Sequence, residues 1–330
     1  MAQQNAPTAA LSSRSRSEYT VALNAGEEET RIIWRFSDGR PGHDTQSLGL
    51  VTALAELASF QYHDVQLPVP LHQYPKLIFG HMPSGRRLPK PDIVIGAGHA
   101  THIPMLLSKW KHQSIAIVLM RPSIPMSLFD FCLVPQHDNY KATETLITTE
   151  GPLNSIKPVS DKNPVQGLIL IGGPSRHFDW DETALLQQLQ KVVNTHGISW
   201  ILTDSPRTPA STRAILKNLA GKAVDYRPFH DGNTRLAELM GEVSTIWVSE
   251  DSMSMIYETL SSGAAVGVLR VPALRNNKLS TVAESLAKQQ MLTLFDKWQE
   301  QETLPRPPRL LNESRRCAEE ILQRISRAND

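Results

Sequence analysis

The feature that most constrains this chain is a repeated alternation between short apolar runs and longer amphipathic stretches. From Arg31 onward, apolar runs such as RIIWRF (31–36) and DIVIGAG (92–98) end in small or turn-forming residues and lead into stretches with helical periodicity. Near-continuous apolar strands separated by helices are typical of parallel strands that are covered on both faces. The pattern therefore predicts an α/β fold built from doubly wound parallel sheets.

The alternation occurs in two blocks. Residues 151–165 (GPLNSIKPVSDKNPV) interrupt it with three prolines and polar residues, which is a composition typical of a linker. The pattern restarts with GLILIGG (167–173) and continues through STIWVS (244–249). At 330 residues the chain is long enough for two domains. We expect two Rossmann-like domains that face a central cleft and are joined by a Pro-rich hinge.

The same pattern gives the expected domain boundaries. Residues 1–30 carry no apolar periodicity and are expected to form a disordered N-terminal arm. The first Rossmann-like domain is predicted at 31–155 and the second at 156–300. Residues 301–330 contain a final amphipathic stretch and are predicted to form a closing helix.

Composition excludes several classes of protein. The balance of 34 basic and 33 acidic side chains gives no overall field for nucleic acid, which is not an expected partner. No apolar run reaches the length of about 18 residues that a membrane span needs. Residues 1–30 lack the continuous apolar segment of a secretory signal. Only two cysteines occur, which fits a reducing compartment, so we expect a cytoplasmic protein.

Ligands of doubly wound sheets bind beyond the carboxyl ends of the strands, so the loops there are the candidate site. The first such loop, Ser37–Asp44, opens a helix and carries Gly39, Arg40, Gly42 and His43. The glycines allow close backbone approach, and the helix start favours an anion. His43 is the natural general base, because its ordinary pKa is near neutrality. The alternative is that Asp38 and Asp44 are turn and capping residues and His43 is simply exposed.

The loop GAGHAT (96–101) begins like a dinucleotide-binding motif but departs from it. Thr101 replaces the third glycine, and Arg121 stands where an acid would hold a ribose. This argues against a dehydrogenase. A tight strand-to-helix turn capped by Thr101 is the expected role.

No metal site is predicted. His99 and His102 lack a convincing third ligand nearby. Asp179 and Asp181 resemble a metal-binding acidic triplet, but they precede a helical pattern in which capping explains them.

Three loops of the second block could hold a diphosphate. GGPSRH (172–177) offers two glycines, a hydroxyl and Arg176, which suit an oxyanion. Arg207 in TDSPRTP (203–209) could bind a phosphate in a bidentate manner, although a capping turn is the alternative.

The loop EDSMSMIYE (250–258) is the most informative of the three. Ser252 and Ser254 lie at a helix start, where hydroxyls and backbone amides can both bind phosphate. Glu258, under two helical turns further on, could accept hydrogen bonds from both hydroxyls of a ribose. The alternative is that Ser252 caps the helix and Glu258 is solvated.

Five segments together resemble the Elm-type family of mitochondrial fission proteins, which is grouped with GT-B-like glycosyltransferases and whose bacterial members are placed among envelope-glycan transferases. The combination of GGPSRHFDW with DSMSM is the most specific part, and the likeness covers about residues 31–290 in the same order. The segments are SDGRPGHDTQSLGL (37–50), PDIVIGAGHATH (91–102), GGPSRHFDW (172–180), TDSPRTP (203–209) and EDSMSMIYE (250–258).

The resemblance implies a function and a role for each loop. It implies metal-independent transfer of a sugar from a nucleoside-diphosphate sugar to a glycan or lipid-linked acceptor, with no cofactor. The second domain would hold the donor, with Glu258 on the ribose and the diphosphate near Gly172, Gly173, Ser175, Arg176, Arg207, Ser252 and Ser254. The first domain would face the acceptor through Gly39, Arg40 and Gly42. His43 or Asp38 would then accept the proton of the acceptor hydroxyl.

Two other functions stay open on the same fold: a non-catalytic recruiting platform, as the fission branch implies, and a sugar-nucleotide epimerase. Two basic clusters, Arg86–Lys90 and Lys109–His112, suggest either a peripheral membrane contact or ordinary solvated surface. A membrane contact would place the protein on the inner face of a membrane. The fission branch would place it on the mitochondrial surface.

Overall fold

The computed structural model describes residues 30–69, 71–81, 87–138, 140–231, 235–274, 280–299 and 302–329. The predicted disordered arm at 1–30 therefore lies outside the described residues, apart from Thr30. The described chain forms two parallel β-sheets, one after the other along the sequence.

The first sheet has six strands in the order β2-β1-β3-β4-β5-β6, and all neighbouring pairs are parallel. Its strands are β1 (Arg31–Ser37), β2 (Phe60–Gln66), β3 (Ile93–Ala97), β4 (Ile115–Leu119), β5 (Phe131–Pro135) and β6 (Leu146–Thr149). The helices that accompany them are α1 (Pro41–Leu57), α2 (Tyr74–Ile78) and α3 (His99–His112).

The second sheet also has six parallel strands, in the order β12-β11-β10-β7-β8-β9. Its strands are β7 (Asn163–Leu170), β8 (Ser199–Thr203), β9 (Val224–Tyr226), β10 (Val243–Ser249), β11 (Ala265–Leu269) and β12 (Thr293–Leu294). Its helices are α4 (Glu182–Val193), α5 (Ala210–Asn218), α6 (Leu236–Glu242), α7 (Met253–Ser261) and α8 (Ser280–Lys288).

Each sheet is covered by apolar side chains on both faces. The first sheet separates one core around Ile33, Leu54 and Ile95 from another around Trp34 and Val94. The second sheet likewise has two cores, and Trp200 and Trp247 are fully buried in one of them. Alternate side chains of a strand point to opposite faces, so strands buried on both sides must be apolar throughout. The predicted doubly wound α/β architecture is confirmed.

The last helix, α9 (Glu313–Asn329), returns to the first sheet and packs along α1. Its residues Cys317, Ala318 and Ile321 are fully buried and belong to the same core as Leu54. The predicted closing helix therefore completes the first half of the chain, not the second.

The segment between the two sheets is only partly the Pro-rich linker that composition predicts. Residues 157–161 are exposed, but Gly151, Leu153, Asn154 and Ile156 are buried, and β7 already begins within the predicted linker. The Tyr257 ring lies so close to Gly151 that an added Cβ would approach it to 2.3 Å. Asn154 Nδ2 donates to Ser261 Oγ over 3.0 Å. The segment is thus a buried joint that both halves hold in place.

Among the described helices, none has the length and apolar character that crossing a bilayer would require.

Candidate functional site

The strand orders define where ligands should bind. The order reverses between β1 and β3 in the first sheet and between β7 and β10 in the second. In open parallel sheets, the crevice at such a reversal, beyond the carboxyl ends of the strands, is the usual ligand site. The loops that follow these four strands are the ones that contain the predicted residues 37–44, 98–101, 172–177 and 250–258.

At the first reversal point, Asp38 and His43 form a pair. His43 lies in the first turn of α1, and its Nδ1 is 2.9 Å from Asp38 Oδ2. Burial by itself would raise the pKa of Asp38. The hydrogen bonds from His43 and the Arg40 amide, with the charges of His43 and Arg40, outweigh burial and lower it below its ordinary value. Asp38 is therefore a carboxylate at neutral pH, and it can accept a hydrogen bond from His43 Nδ1.

Gly98 covers this pair from the loop after β3. Its φ is +87°, and a Cβ built there would lie 2.4 Å from His43 Nδ1 and 2.8 Å from Asp38 Oδ2. A side chain at position 98 would therefore displace the pair, in addition to the strain of a left-handed backbone. The GAGHAT loop contributes to the site through this close approach, which sequence reasoning missed. Thr101 does not cap α3 as expected: Gly98 is the N-cap residue, and the Thr101 hydroxyl, inside the first turn, donates to the Gly98 carbonyl over 2.8 Å.

A cavity of about 230 Å³ lies where the two halves meet. It joins the first turns of α1, the buried joint and α7. The lining residues are Pro41, Gly42, Thr45, Gln46, Pro152, Leu153, Asn154, Ser254 and Glu258. Of the predicted residues, Gly42 from the first half and Ser254 and Glu258 from the second thus share one cavity.

Among the described residues that line this cavity, Glu258 is the one with an ionisable side chain. Its carboxylate has no hydrogen bond or ion pair with any part of the chain that the structure describes. Burial raises its pKa to about 7. An unpartnered, half-buried carboxylate facing a cavity is ready to accept hydrogen bonds from a ligand that carries hydroxyl groups.

At the second reversal point, Asp251 holds three loops together. Its fully buried carboxylate accepts hydrogen bonds from Ser249 Oγ (2.6 Å), the Gly173 amide (3.0 Å) and Arg207 Nη2 (2.7 Å). Arg207 also donates to the Gly173 carbonyl over 2.7 Å. The Arg207 side chain remains 40% exposed, but its charge is largely balanced by Asp251.

The donors of the predicted diphosphate loop are already used within the protein. The Gly172 amide donates to Ser249 Oγ over 2.8 Å, and the Gly173 amide is bound to Asp251. Ser175 Oγ accepts hydrogen bonds from the amides of His177 and Phe178. Diphosphate binding by this loop stays a prediction, and it requires these amides to exchange partners or the ligand to use other groups.

The remaining predicted site residues are Arg176, Ser252, Gly39 and Arg40. Arg176 is exposed, and its Nε lies 2.8 Å from His177 Nε2. Ser252 precedes α7 without capping it through its side chain, so the capping alternative for Ser252 is not what the structure has. Gly39, with φ of +74°, and Arg40 are exposed at the start of α1, on the same loop as the Asp38–His43 pair.

The metal alternatives find no support among the described residues, which contain no group of three or more potential ligands. Asp181 accepts from the Ala184 amide over 2.9 Å and so caps α4, as the capping interpretation predicts. His102 is buried against Phe129, and its Nδ1 lies 3.3 Å from Ser123 Oγ.

Comparisons with known proteins bear on the family and on the fold. The model of the family described as mitochondrial fission ELM1 matches residues 41–325. The uncharacterized protein RP120 of Rickettsia prowazekii is 24% identical, covering 80% of this chain and 90% of that protein. The UDP-GlcNAc 2-epimerase of Methanocaldococcus jannaschii superposes with a TM-score of 0.54 at 12% identity, covering 90% of this chain and 99% of that chain. Acinetobacter baumannii MurG has a TM-score of 0.45 at 14% identity, covering 91% and 94%. The fold is GT-B-like, with two Rossmann-like halves.

Proposed function

Because the chain belongs to the mitochondrial fission ELM1 family, we propose that it transfers a sugar from a nucleoside-diphosphate sugar to a glycan or lipid-linked acceptor. The observation that carries the proposal is the cavity between the two halves, where Glu258 of α7 faces the first turns of α1. A donor that reaches from Glu258 toward α1 would lie between the two reversal points. That is the arrangement a reaction between two bound substrates needs.

The donor would be held chiefly by α7. The hydroxyls of a ribose would supply the hydrogen bonds that the Glu258 carboxylate lacks. Ser252, Ser254 and the free amides at the start of α7 would meet the diphosphate, because a helix N-terminus stabilises negative charge. Arg207 would contribute its exposed edge, while its bond to Asp251 fixes its position.

The acceptor would be activated by the Asp38–His43 pair. With Nδ1 bound to Asp38, His43 keeps Nε2 as the free basic nitrogen, and that atom has no partner among the described side chains. The acceptor oxygen forms a bond to the anomeric carbon, the bond from that carbon to the diphosphate breaks, and Nε2 takes the acceptor proton. The charge that develops on the diphosphate would be stabilised at the start of α7.

The first experiment measures binding of a panel of nucleoside diphosphates by calorimetry. We expect one of them to bind the wild-type protein and to bind Glu258→Gln at least tenfold more weakly. Glu238→Gln, which changes an exposed carboxylate on α6, is the matched control and should bind normally. Equal affinity in Glu258→Gln and wild type would remove the ribose assignment.

A second experiment separates the alternatives. The sugar derivative of the nucleotide that binds is incubated with and without an extract of envelope glycans and lipids, and its products are identified. Transfer that depends on the extract supports the transferase. Conversion of the donor sugar without any acceptor would indicate the epimerase. If none of the nucleoside diphosphates binds in the calorimetry experiment, the recruiting platform would be favoured.

A further inference from the structure

One stretch of the first half has a strong charge imbalance. Between Asp64 and Asp130 there is a single acid, Asp92, whereas the whole chain is nearly balanced. Asp92 accepts a hydrogen bond from the Ile32 amide over 2.7 Å, so it is partly directed inward. The same stretch contains seven basic residues: Lys76, Arg86, Arg87, Lys90, Lys109, Lys111 and Arg121. Arg86 lies outside the described residues, and Lys109 is paired with Asp130.

Within this stretch, α3 has an apolar face that points away from the protein. Ile103, Leu107 and Trp110 follow the i, i+4, i+7 spacing that places them on one side of the helix. Ile103 is 55% exposed and Trp110 is 61% exposed, while Met105 and Leu106 on the other side are buried. A contiguous exposed apolar stripe of this kind marks an interaction surface.

The end of α2 extends this stripe. Phe79, directly after α2, is 50% exposed, and Lys111 Nζ lies 4.5 Å from the centroid of its ring. His112 Nε2 lies 2.6 Å from the Ile78 carbonyl oxygen, which fixes the end of α3 against α2. We define the α2–α3 surface as Phe79, Ile103, Leu107, Trp110 and Lys111. It combines exposed aromatic rings with uncompensated positive charge.

We propose that the α2–α3 surface docks onto an anionic lipid bilayer. Tryptophan and other aromatic rings favour the interface between water and hydrocarbon, and nearby lysines are attracted to anionic headgroups. Charge complementarity selects this occupant, because a second copy of the chain would bring two positive surfaces together. The inference does not depend on the proposed sugar transfer.

Vesicle co-sedimentation of the full chain tests the proposal. We expect binding to vesicles of phosphatidylcholine with phosphatidylglycerol, much weaker binding to phosphatidylcholine alone, and loss of binding at high salt. The Phe79→Ser/Trp110→Ser variant and the Lys111→Glu variant should each reduce the bound fraction at least several-fold. Leu310→Ser and Lys217→Glu change an exposed apolar and an exposed basic residue elsewhere, and both should bind normally.

Fluorescence quenching by brominated lipids gives a second readout. Trp110 should be quenched by anionic vesicles, and the quenching should disappear in Trp110→Phe although that variant still binds. The proposal is overturned if the folded wild-type protein does not bind anionic vesicles at low salt, or if the variants and the controls bind these vesicles to the same extent. It is also overturned if analytical ultracentrifugation shows that Phe79→Ser/Trp110→Ser converts a dimer to a monomer, because the surface would then be covered by a second copy.

Discussion

His43 keeps one ring nitrogen against Asp38, and its other nitrogen has no partner among the described residues. Most other polar groups near the two reversal points are bound within the protein, including Arg207 and the amides of Gly172 and Gly173. At the scale of residues, the groups left for a ligand are therefore few. His43 Nε2 and the Glu258 carboxylate are two of them, and the exposed guanidinium groups of Arg40 and Arg176 lie on the same loops.

Gly98→Ala should disable the site while the fold survives. The added Cβ would overlap sterically with the side chains of His43 and Asp38. In addition, the φ of +87° would cost about 1–3 kcal/mol of backbone strain in an alanine. Gly197→Ala is the matched control, since its φ is +77° and a Cβ there meets no atom within 4 Å. Gly98→Ala should lose more stability in thermal unfolding than Gly197→Ala because of this overlap, and only Gly98→Ala should lose most of the rate of the proposed sugar transfer. Equal rates in the two variants would contradict the role of the Asp38–His43 pair.

Glu258 should make stability depend on pH. Its pKa is raised to about 7, so the unfolded chain releases this proton at lower pH than the folded chain does. The resulting stabilisation of the folded state is complete below the ordinary carboxyl pKa and is lost as pH rises to about 7. The loss is about 3 kcal/mol.

Urea unfolding at pH 4.5 and pH 8 checks this prediction. The free energy of unfolding of Glu258→Gln minus that of wild type should be about 3 kcal/mol larger at pH 8 than at pH 4.5. The exposed Glu238→Gln should follow wild type at both pH values. A Glu258→Gln curve parallel to wild type would show that the carboxyl is solvated.

Some residues of the site were predictable from sequence and others were not. His43 and Glu258 lie in the helices α1 and α7, which follow the ends of β1 and β10, and that position indicates a ligand site. Arg207 also lies just after the end of a strand, β8, but its guanidinium group is paired with Asp251. The sequence does not reveal this pair, because an aspartate ahead of a helix has the pattern of an exposed cap and only tertiary packing buries it.

At the scale of elements, the buried strands were predictable from the sequence, whereas the edge strand β2 was not. β3 and β10 are apolar because both faces are covered, so their apolar runs stand out in the sequence. β2 (FQYHDVQ) lies at the edge of the first sheet, with most of its residues exposed or partly exposed, so it carries no continuous apolar run. The sequence pattern therefore does not predict β2.

The docking of α9 on α1 should contribute strongly to stability. Ile321 is fully buried in the core of the first sheet, and removal of such a side chain to alanine typically costs 2–5 kcal/mol. We expect Ile321→Ala to lower the free energy of unfolding in urea by about that amount. Arg315→Ala, which breaks an exposed pair with Glu319 on the same helix, should cost about 1 kcal/mol or less. Similar losses in both variants would mean that α9 is not packed as described.

At the scale of the whole molecule, the two halves are joined by hydrogen bonds and not only by a connector. Tyr257 of α7 donates its hydroxyl to the Glu150 carbonyl over 2.9 Å. The Glu150 amide donates to Glu313 Oε2 over 2.8 Å, and Asn154 contacts both Ser261 and Ser314. Any opening of the cavity must therefore occur around a joint that both halves share.

This joint predicts a single cooperative unfolding transition. Hydrogen exchange in β3 and in β10 should report the same free energy of opening in the wild-type protein. Asn154→Ala removes the bond to Ser261, so exchange in the two strands should then differ measurably. Asn218→Ala, at the exposed end of α5, is the control and should leave the two strands coupled. Separate transitions in the wild type would contradict the shared joint.

Because α9 packs along α1, the first half can complete its core only after α9 has been synthesised. Glu150 and Glu313, which meet in the folded protein, are 163 positions apart in the sequence. At ordinary rates of synthesis, roughly ten to thirty seconds pass between their emergence. Throughout that interval the part of α1 that α9 covers in the folded protein has no partner, so the nascent first half exposes apolar surface until α9 has been synthesised.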